Sequence, residues 1–492
     1  MTFSEAIIYI MTPLPFLFCL LGVFLGIIVG AIPGFSGAML IALTVPLTFF
    51  MDNVNAMILL ISMYVGSVSG GLISATLLKM PGTPSSIMTT LDGYPMAQAG
   101  QAPRALGLGI TASFVGGLVS WVFLYALSPS LAIWGTKFGP WERFSMAVMA
   151  LALIASMTQG SLTKGLLAAF LGILASLPGM DPSTGMMRLT FGIPALAGGF
   201  GLVPVLMGVF VVSQALKDIT EIGRPMQLIE AGTSSIFMKW ADWKAQAFNM
   251  LRSSLIGTYI GVLPGVGGSV GSIVSYTVAK NSSKTPEKFG TGFPDGIIAS
   301  ETANNATIGG ALIPLVTLGI PGSTVDAILI GALLLHDLQP GPMLYVTNPE
   351  IINSIIGSCL IANFVMFAMM ILMVRKIAKL SSIPTSFMMP VILLCCLFGA
   401  ISINNSMSDV WVTLGFGVVG YIMQQCKLPN GPFVIGFILA NLAESSLRSA
   451  LMASAGSLEP LLSRPLSICF LVITVLMLAW SLYKENKNRI VI

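Results

Sequence analysis

The stretch IASETANNATIGGALIPLVTLGIPGSTVDAIL, residues 298–329, sets Glu301, Asn304 and Asn305 in an apolar run that then meets Pro321 and Gly322. Side-chain amides offer donors and acceptors without a formal charge. A Pro-Gly pair ends a helix, because proline removes a backbone donor and clashes with the preceding turn while glycine lets the chain turn away. The N–H groups freed at the start of the next helix favour an anion, and freed carbonyls coordinate cations such as Na⁺. Groups of this kind suit the recognition of a small polar solute.

Three more such pairs occur: Pro33-Gly34, Pro81-Gly82 and Pro264-Gly265. Small hydroxyl residues gather at all four breaks, with Ser36 at the first, Thr83, Ser85 and Ser86 at the second, Ser269 at the third, and Ser323 and Thr324 at the fourth. The candidate substrate- or ion-binding set is therefore Pro33, Gly34, Ser36, Gly82, Thr83, Ser85, Gly265, Gly267, Ser269, Asn304, Asn305, Gly322, Ser323 and Thr324. Backbone carbonyls near Gly34, Gly82, Gly265 and Gly322 are the candidate Na⁺ ligands. Neutral donors can hold a carboxylate without a Lys or Arg at the bilayer centre, where a charge costs about 2.5–3.5 kcal/mol on insertion scales. Proline kinks and small residues also serve close helix packing. That reading competes at any single break and is weaker for four breaks in two matched pairs.

Single charges carry less. Glu301 reads equally as a carboxylate at a helix start, near an interface, and as an ion-coupling group. Asp326, four residues after Gly322, reads as a first-turn residue favoured by the helix dipole. Glu444 and Arg448, spaced i to i+4, read as a pair on one helix face. His336, the only histidine, reads as a loop or interface residue, and one histidine cannot build a histidine metal cluster.

Composition places these residues in a membrane. Of 492 residues, 55% are hydrophobic and 9% charged, against roughly 25% charged in an average soluble chain. Apolar runs recur at the length needed to cross a hydrocarbon core of about 30 Å. The net charge of +4 has no basic tract behind it and argues nothing about nucleic acid. The six cysteines, Cys19, Cys359, Cys395, Cys396, Cys426 and Cys469, show no ligand spacing and read as small packing residues. No Lys or Arg precedes Lys79, so the expected N-terminus is mature sequence without a signal peptide. No HExxH, GxGD pair or GxxxxGK[ST] occurs, so neither an intramembrane enzyme nor an ATP-driven pump is expected.

The chain repeats itself. GAIPGFSGA from Gly30 returns as GVLPGVGGS from Gly261, GGLISATLLKMPGTPSS from Gly70 as GGALIPLVTLGIPGSTV from Gly309, and PVLMGVFVVSQAL from Pro204 as PFVIGFILANLAE from Pro432. Three pairs in the same order at similar offsets argue for duplication. Spans are expected near 14–32, 36–50, 55–79, 105–126, 142–158, 163–178 and 191–213, then 246–262, 265–279, 297–318, 352–374, 386–404, 411–424 and 431–448, with an unpaired one at 466–482. With the polar connector of residues 217–244 in the cytoplasm, 17 of the 23 Lys and Arg residues fall on that side and five on the other, leaving Arg252 inside a span. This satisfies the positive-inside rule and puts equivalent loops on opposite faces.

The expected fold is thus an all-α polytopic membrane protein with two inverted-topology repeats, Pro-Gly-broken helices and one extra C-terminal span. The expected divisions are a first membrane repeat at 1–216, a cytoplasmic connector at 217–245 and a second repeat at 246–450. Residues 451–492 supply an extracytoplasmic loop, the final transmembrane helix and a cytoplasmic tail.

The motifs also resemble a known family, the large membrane subunit of the tripartite tricarboxylate transporters. The resemblance rests on IPG at Ile32, MPGTPSSIMTTLDGYPMAQAGQAPRALGLG at Met80 and TKGLLAAFLGILASLPGMDPSTG at Thr163. It continues through LPGVGGSVGSIVSY at Leu263, ANNATIGGALIPLVTLGIPGS at Ala303, LQPGP at Leu338 and ESSLRSALMASAG at Glu444. It implies a multi-pass subunit of the bacterial inner membrane. That subunit imports citrate-like carboxylates by alternating access, without a cofactor, driven by a Na⁺ or H⁺ gradient. It implies two partners, a small integral-membrane subunit and an extracytoplasmic solute-binding protein. A channel for small anions and a carrier of a different organic acid class are the competing readings.

Overall fold

The computed structural model describes residues 1–157, 161–181, 184–220, 229–380 and 385–490. Glu221 and Arg224 of the polar connector lie outside them. Apart from turns and irregular loops, the described chain is helical, with one antiparallel pairing of Gly179–Met180 with Met187–Arg188. Seven described helices are long and apolar enough to cross a membrane.

The helices run in order as α1 (Phe3–Ile10), α2 (Pro13–Ala31), α3 (Gly37–Thr48), α4 (Asn53–Leu77), α5 (Thr89–Met96) and α6 (Ala102–Thr136). Next come α7 (Pro140–Met157), α8 (Leu162–Ser176), α9 (Leu202–Met207) and α10 (Ser213–Thr220), the last two joined by a π-helical turn at Gly208–Val212. After the connector follow α11 (Trp240–Val262), α12 (Gly267–Asn281), α13 (Pro294–Leu318), α14 (Thr324–Leu335), α15 (Pro342–Thr347) and α16 (Pro349–Leu380). The chain closes with α17 (Thr385–Asn404), α18 (Met407–Gln425), α19 (Asn430–Ala453), α20 (Glu459–Ser463) and α21 (Pro465–Ile490).

Two compact units result, each assembled from residues on both sides of the connector. One comprises 1–132, 218–263 and 267–392, and the other 133–217, 264–266 and 393–492. In the first unit the most extensive pairings are α2 with α4 and α11 with α13. Both rest on glycine. A methyl at Gly30 would sit 2.1 Å from the Ser67 carbonyl oxygen, and one at Gly257 would sit 2.4 Å from that of Ala303. Backbones this close gain van der Waals contact where the hydrophobic effect between helices is absent. In the second unit α8 packs on α19, and α18 packs on α9 and its π turn. There too glycines form the seams, at Gly172 against Phe433 and at Gly208 against Thr413.

The Pro-Gly pairs break helices where the sequence puts them. The second and fourth breaks are built alike. A methyl at Gly82 would lie 2.0 Å from the Gly30 carbonyl oxygen, and one at Gly322 would lie 2.9 Å from that of Gly261. Each glycine admits the carbonyl that ends the partner helix. Gly319, in the left-handed region at φ 72°, stops α13, and the Ile320 amide turns back to the Pro314 carbonyl at 3.2 Å.

Hydropathy misjudges several segments, α8 and α12 at 15 residues each among them. The span expected at 36–50 is the 12-residue α3, about 18 Å long at 1.5 Å per residue and too short for a full crossing. The span expected at 191–213 becomes a long helix only from Leu202, because Gly192, Pro194, Gly198, Gly199 and Gly201 interrupt its start. Finally, α14, also 12 residues, was hidden behind the fourth break and continues the apolar run.

Gly82→Ala is expected to lower stability by about 1–3 kcal/mol, the usual cost of forcing a methyl into packed backbone. Gly415→Ala, where nothing lies within 4 Å, should be neutral or stabilising by up to about 1 kcal/mol. Thermal unfolding of both purified variants in detergent checks the contrast.

Candidate functional site

The site is organised by α13. Every residue from 296 to 317 is buried, so the helix is enclosed on all sides by protein. Glu301 therefore lies inside the fold, two turns into its helix, and its interfacial reading is set aside. Its Oε1 accepts from the Thr89 hydroxyl at 2.5 Å and its Oε2 from that of Ser113 at 3.2 Å. Ser113 reaches it because α6 presses its backbone onto α13, where a methyl at Gly116 would meet the Thr302 carbonyl oxygen. Asn305 is also held, its Oδ1 accepting from the Ser69 hydroxyl of α4 at 2.7 Å and its Nδ2 donating to the Glu301 carbonyl at 3.2 Å.

Asn304 differs. Its amide leans toward Glu301 one turn back, yet neither its oxygen nor its nitrogen completes a hydrogen bond, although the residue is fully buried. Buried polar groups are ordinarily paired, and Asn304 is one of the exceptions on α13, with Thr302. Around it three breaks converge. A methyl at Gly268 would lie 3.0 Å from Ser85 Cβ, 3.0 Å from Thr307 Oγ1 and 3.1 Å from Asn304 Oδ1, and Gly267 faces Ser323. Ser85 and Thr83 exchange a hydroxyl bond at 3.0 Å in the single turn Pro84–Ser86. Ser323 caps α14, accepting from the Asp326 amide at 3.3 Å, and it meets the Tyr64 hydroxyl at 3.1 Å.

Other expected residues stand apart. Ser36 caps α3 through the Met39 amide at 3.2 Å, and Gly34 takes a left-handed turn at φ 90°. No hydrogen bond among the described residues ties Pro33, Gly34 or Ser36 to Asn304. Gly265 belongs to the second unit and is packed on Ile154. Gly82 admits the Gly30 carbonyl and so serves packing. Ser269 and Thr324 are half-buried without a recorded side-chain bond.

The sequence reading missed Thr89, Ser113, Ser69, Tyr64 and Thr307. These are hydroxyls inside apolar helices whose spacing carries no signal until the helices are packed. Glu444 and Arg448 do pair, at 2.7 Å, and the cluster extends to Arg188 at 2.6 Å and Asp181 at 2.8 Å. Bonding to Glu444 raises the proton affinity of the Arg188 guanidinium. His336 ends α14, with Nδ1 2.9 Å from Asn53 Oδ1 and Nε2 3.2 Å from Thr48 Oγ1. A cavity of about 510 Å³ opens beside it, lined by Phe49, Asn53 and Asp337 among others and away from Asn304.

The hydroxyls of Ser85 and Thr307 and the amide of Asn304 thus gather around Gly268. Comparison with known proteins places the chain in a family. The family described as "Tripartite tricarboxylate transporter TctA family" matches residues 16–435. The chain belongs to the TctA family. It is accordingly a multi-pass membrane protein and a subunit of a tripartite tricarboxylate transporter, a system that also uses a small membrane subunit and a binding protein. One similar protein is the "Uncharacterized 52.8 kDa protein in TAR-I ttuC' 3'region" of Agrobacterium vitis, 33% identical over 466 residues, 94% of this chain and 92% of that one. Another is the "Uncharacterized protein in TAR-II ttuC' 3'region" of the same organism, 35% identical over 215 residues, 44% of this chain and 89% of that one. No solved structure matches.

In this TctA-family chain one further carboxylate holds the region beside the site together. Asp92 of α5 is fully buried. Its Oδ1 accepts from the amides of Gly290 at 2.9 Å, Gly292 at 3.0 Å and Phe293 at 2.8 Å, and its Oδ2 from the Tyr276 hydroxyl at 2.8 Å. It thereby fixes the loop that starts α13. Asp92→Ala orphans those donors and is expected to cost at least about 3 kcal/mol, read as a lower unfolding temperature and as protease cleavage near residue 290.

Proposed function

We propose that this chain is the carrier subunit of a secondary active importer of citrate-like di- or tricarboxylates. It works by alternating access, is driven by a Na⁺ or H⁺ gradient, and is supplied by an extracytoplasmic binding protein. The observation that carries the reading is the open Asn304 amide, buried beside Ser85, Thr307 and Gly268, with no hydrogen bond to a Lys or Arg among the described residues. Neutral donors at the ends of broken helices suit a carboxylate that must be bound and then released. The set Thr83, Ser85, Gly267, Asn304, Asn305 and Ser323 is assigned to substrate. Carbonyls freed near Gly34, Gly82, Gly265 and Gly322 are assigned to the coupling ion when that ion is Na⁺.

The inverted repeat belongs to the same proposal. It is supported by the paired recurrence of α2 with α4 and of α11 with α13, each followed by a Pro-Gly break whose glycine admits a carbonyl of the partner helix. On this reading residues 1–216 and 246–450 are the two repeats, the connector at 217–245 is cytoplasmic, and the membrane is the bacterial inner membrane. A two-faced duplicated chain fits a carrier better than a channel, whose filter usually comes from several identical subunits.

The test is uptake of labelled citrate and related acids into proteoliposomes holding this chain, its small subunit and its binding protein, with a Na⁺ or proton gradient imposed. Saturable, binding-protein-dependent uptake is the expected result. Loss of one hydrogen bond to a charged group costs about 1.5–3 kcal/mol, so Asn304→Ala should raise the half-saturating concentration about 10- to 100-fold. Unchanged uptake by both Asn304→Ala and Asn305→Ala, with membrane insertion verified, would sink the assigned site.

A further inference from the structure

Glu301 and Asp326 are both fully buried carboxylates in the first unit, but they are not alike. Each oxygen of Glu301 accepts from a hydroxyl. Neither oxygen of Asp326 completes a hydrogen bond, although the hydroxyl and the backbone amide of Ser323 lean toward its carboxylate. Asp326 lies in the first turn of α14, immediately after the fourth break, where the freed amides partly offset a negative charge. No Lys or Arg among the described residues forms an ion pair with it. Hydroxyls approach instead, because the Ser323 oxygen that caps the same turn is bonded to the Tyr64 hydroxyl of α4.

The charged and titratable groups on the elements around it are few. On α3, which packs on α14, no Asp, Glu, Lys, Arg or His occurs, and on α4 the only titratable side chain is Tyr64. On α13 the titratable groups are Asp295 and Glu301, and the far end of α14 is followed by His336 and Asp337. On α16 the groups are Glu350, Cys359, Arg375, Lys376 and Lys379. Cys359 is the one of these that faces Tyr64.

An isolated carboxylate in a low-dielectric interior is costly until a positive charge reaches it. An incoming carboxylate substrate makes matters worse by repulsion. From this we infer that Asp326, with the hydroxyls of Ser323 and Tyr64, is a site for a monovalent cation, H⁺ or Na⁺, whose arrival neutralises the carboxylate and permits substrate to enter. The two cations share this chemistry: H⁺ would bond to one Asp326 oxygen, and Na⁺ would take both oxygens and the hydroxyls as ligands. The inference rests on the carrier reading and adds Asp326 as a coupling residue beside Ser323, which the substrate and cation sites share.

Asp326→Asn carries a neutral group of the same shape and mimics the occupied site. The experiment uses the assembled complex in proteoliposomes at zero membrane potential, with labelled citrate as the probe, and runs two arms. One imposes a tenfold Na⁺ gradient at equal pH, and the other a pH gradient without Na⁺. The arm that drives the wild type names the ion. At equilibrium one coupled ion sustains about tenfold accumulation for a tenfold gradient, so Asp326→Asn should lower the accumulation ratio about tenfold. Its substrate exchange, which needs no gradient, should no longer respond to the concentration of that ion.

Three results overturn the inference. In the first, Asp326→Asn accumulates substrate like the wild type. In the second, its exchange keeps the wild-type ion dependence. In the third, it co-purifies with the small subunit and unfolds at the wild-type temperature yet exchanges nothing at any ion concentration, because a mimic of the occupied site must still carry substrate. A wild type that neither exchanges nor accumulates any tested acid instead defeats the carrier reading itself, so the two failures are told apart.

Discussion

Backbone polar groups freed inside a membrane have no water to turn to, and this constraint governs the rest of the molecule. Each break leaves amides and carbonyls that cost several kcal/mol if unsatisfied. The protein answers with close neighbours: Ser36 and Ser323 cap the helices that restart, while Gly82 and Gly322 let the carbonyls of Gly30 and Gly261 lie against the broken backbone. Such proximity requires glycine on both helices, and the seams between α2 and α4 and between α11 and α13 supply it. The breaks are therefore inseparable from the packing around them.

The same economy shapes the site. Hydroxyls do nearly all the polar work, because a Ser or Thr in a helix can return its proton to a carbonyl one turn back when it has no other task. Ser69 shows the choice: its single proton goes to the Asn305 amide oxygen at 2.7 Å, with the Val65 carbonyl one turn back at 3.1 Å as the alternative acceptor. Several other buried side chains, among them Ser62, Thr302 and Asn363, also carry an oxygen without a completed bond, so Asn304 and Asp326 are set apart by their place at the breaks and not by being open alone.

Much of this was legible in the residues. The Pro-Gly pairs located the breaks because proline and glycine act through their own backbone chemistry, whatever surrounds them. Asn304 was legible because amides are rare in apolar helices. Partners were not: Thr89, Ser113 and Ser69 become polar neighbours of α13 only once α4, α5 and α6 close on it, and no local period encodes that. Asp326 was assigned to the helix dipole, a correct account of its position that omitted its burial, since burial depends on α3 and α4. The half-length of α3 and α14 was obscured because hydropathy measures how apolar a run is and not where its helix stops.

The discontinuous composition of the two units bears on how the chain is made. The first unit draws on residues 1–132 and on residues as late as 392, and the second takes 133–217 together with 393–492. Neither can close while synthesis is in its first half. At a rate of about 5–20 residues per second, α1–α6 wait many seconds for α11–α16, with the α6 glycines Gly116 and Gly117 and polar groups such as Asp92 still lacking their final partners. Biogenesis of this protein therefore calls for a machinery that shelters half-built membrane helices until distant sequence arrives.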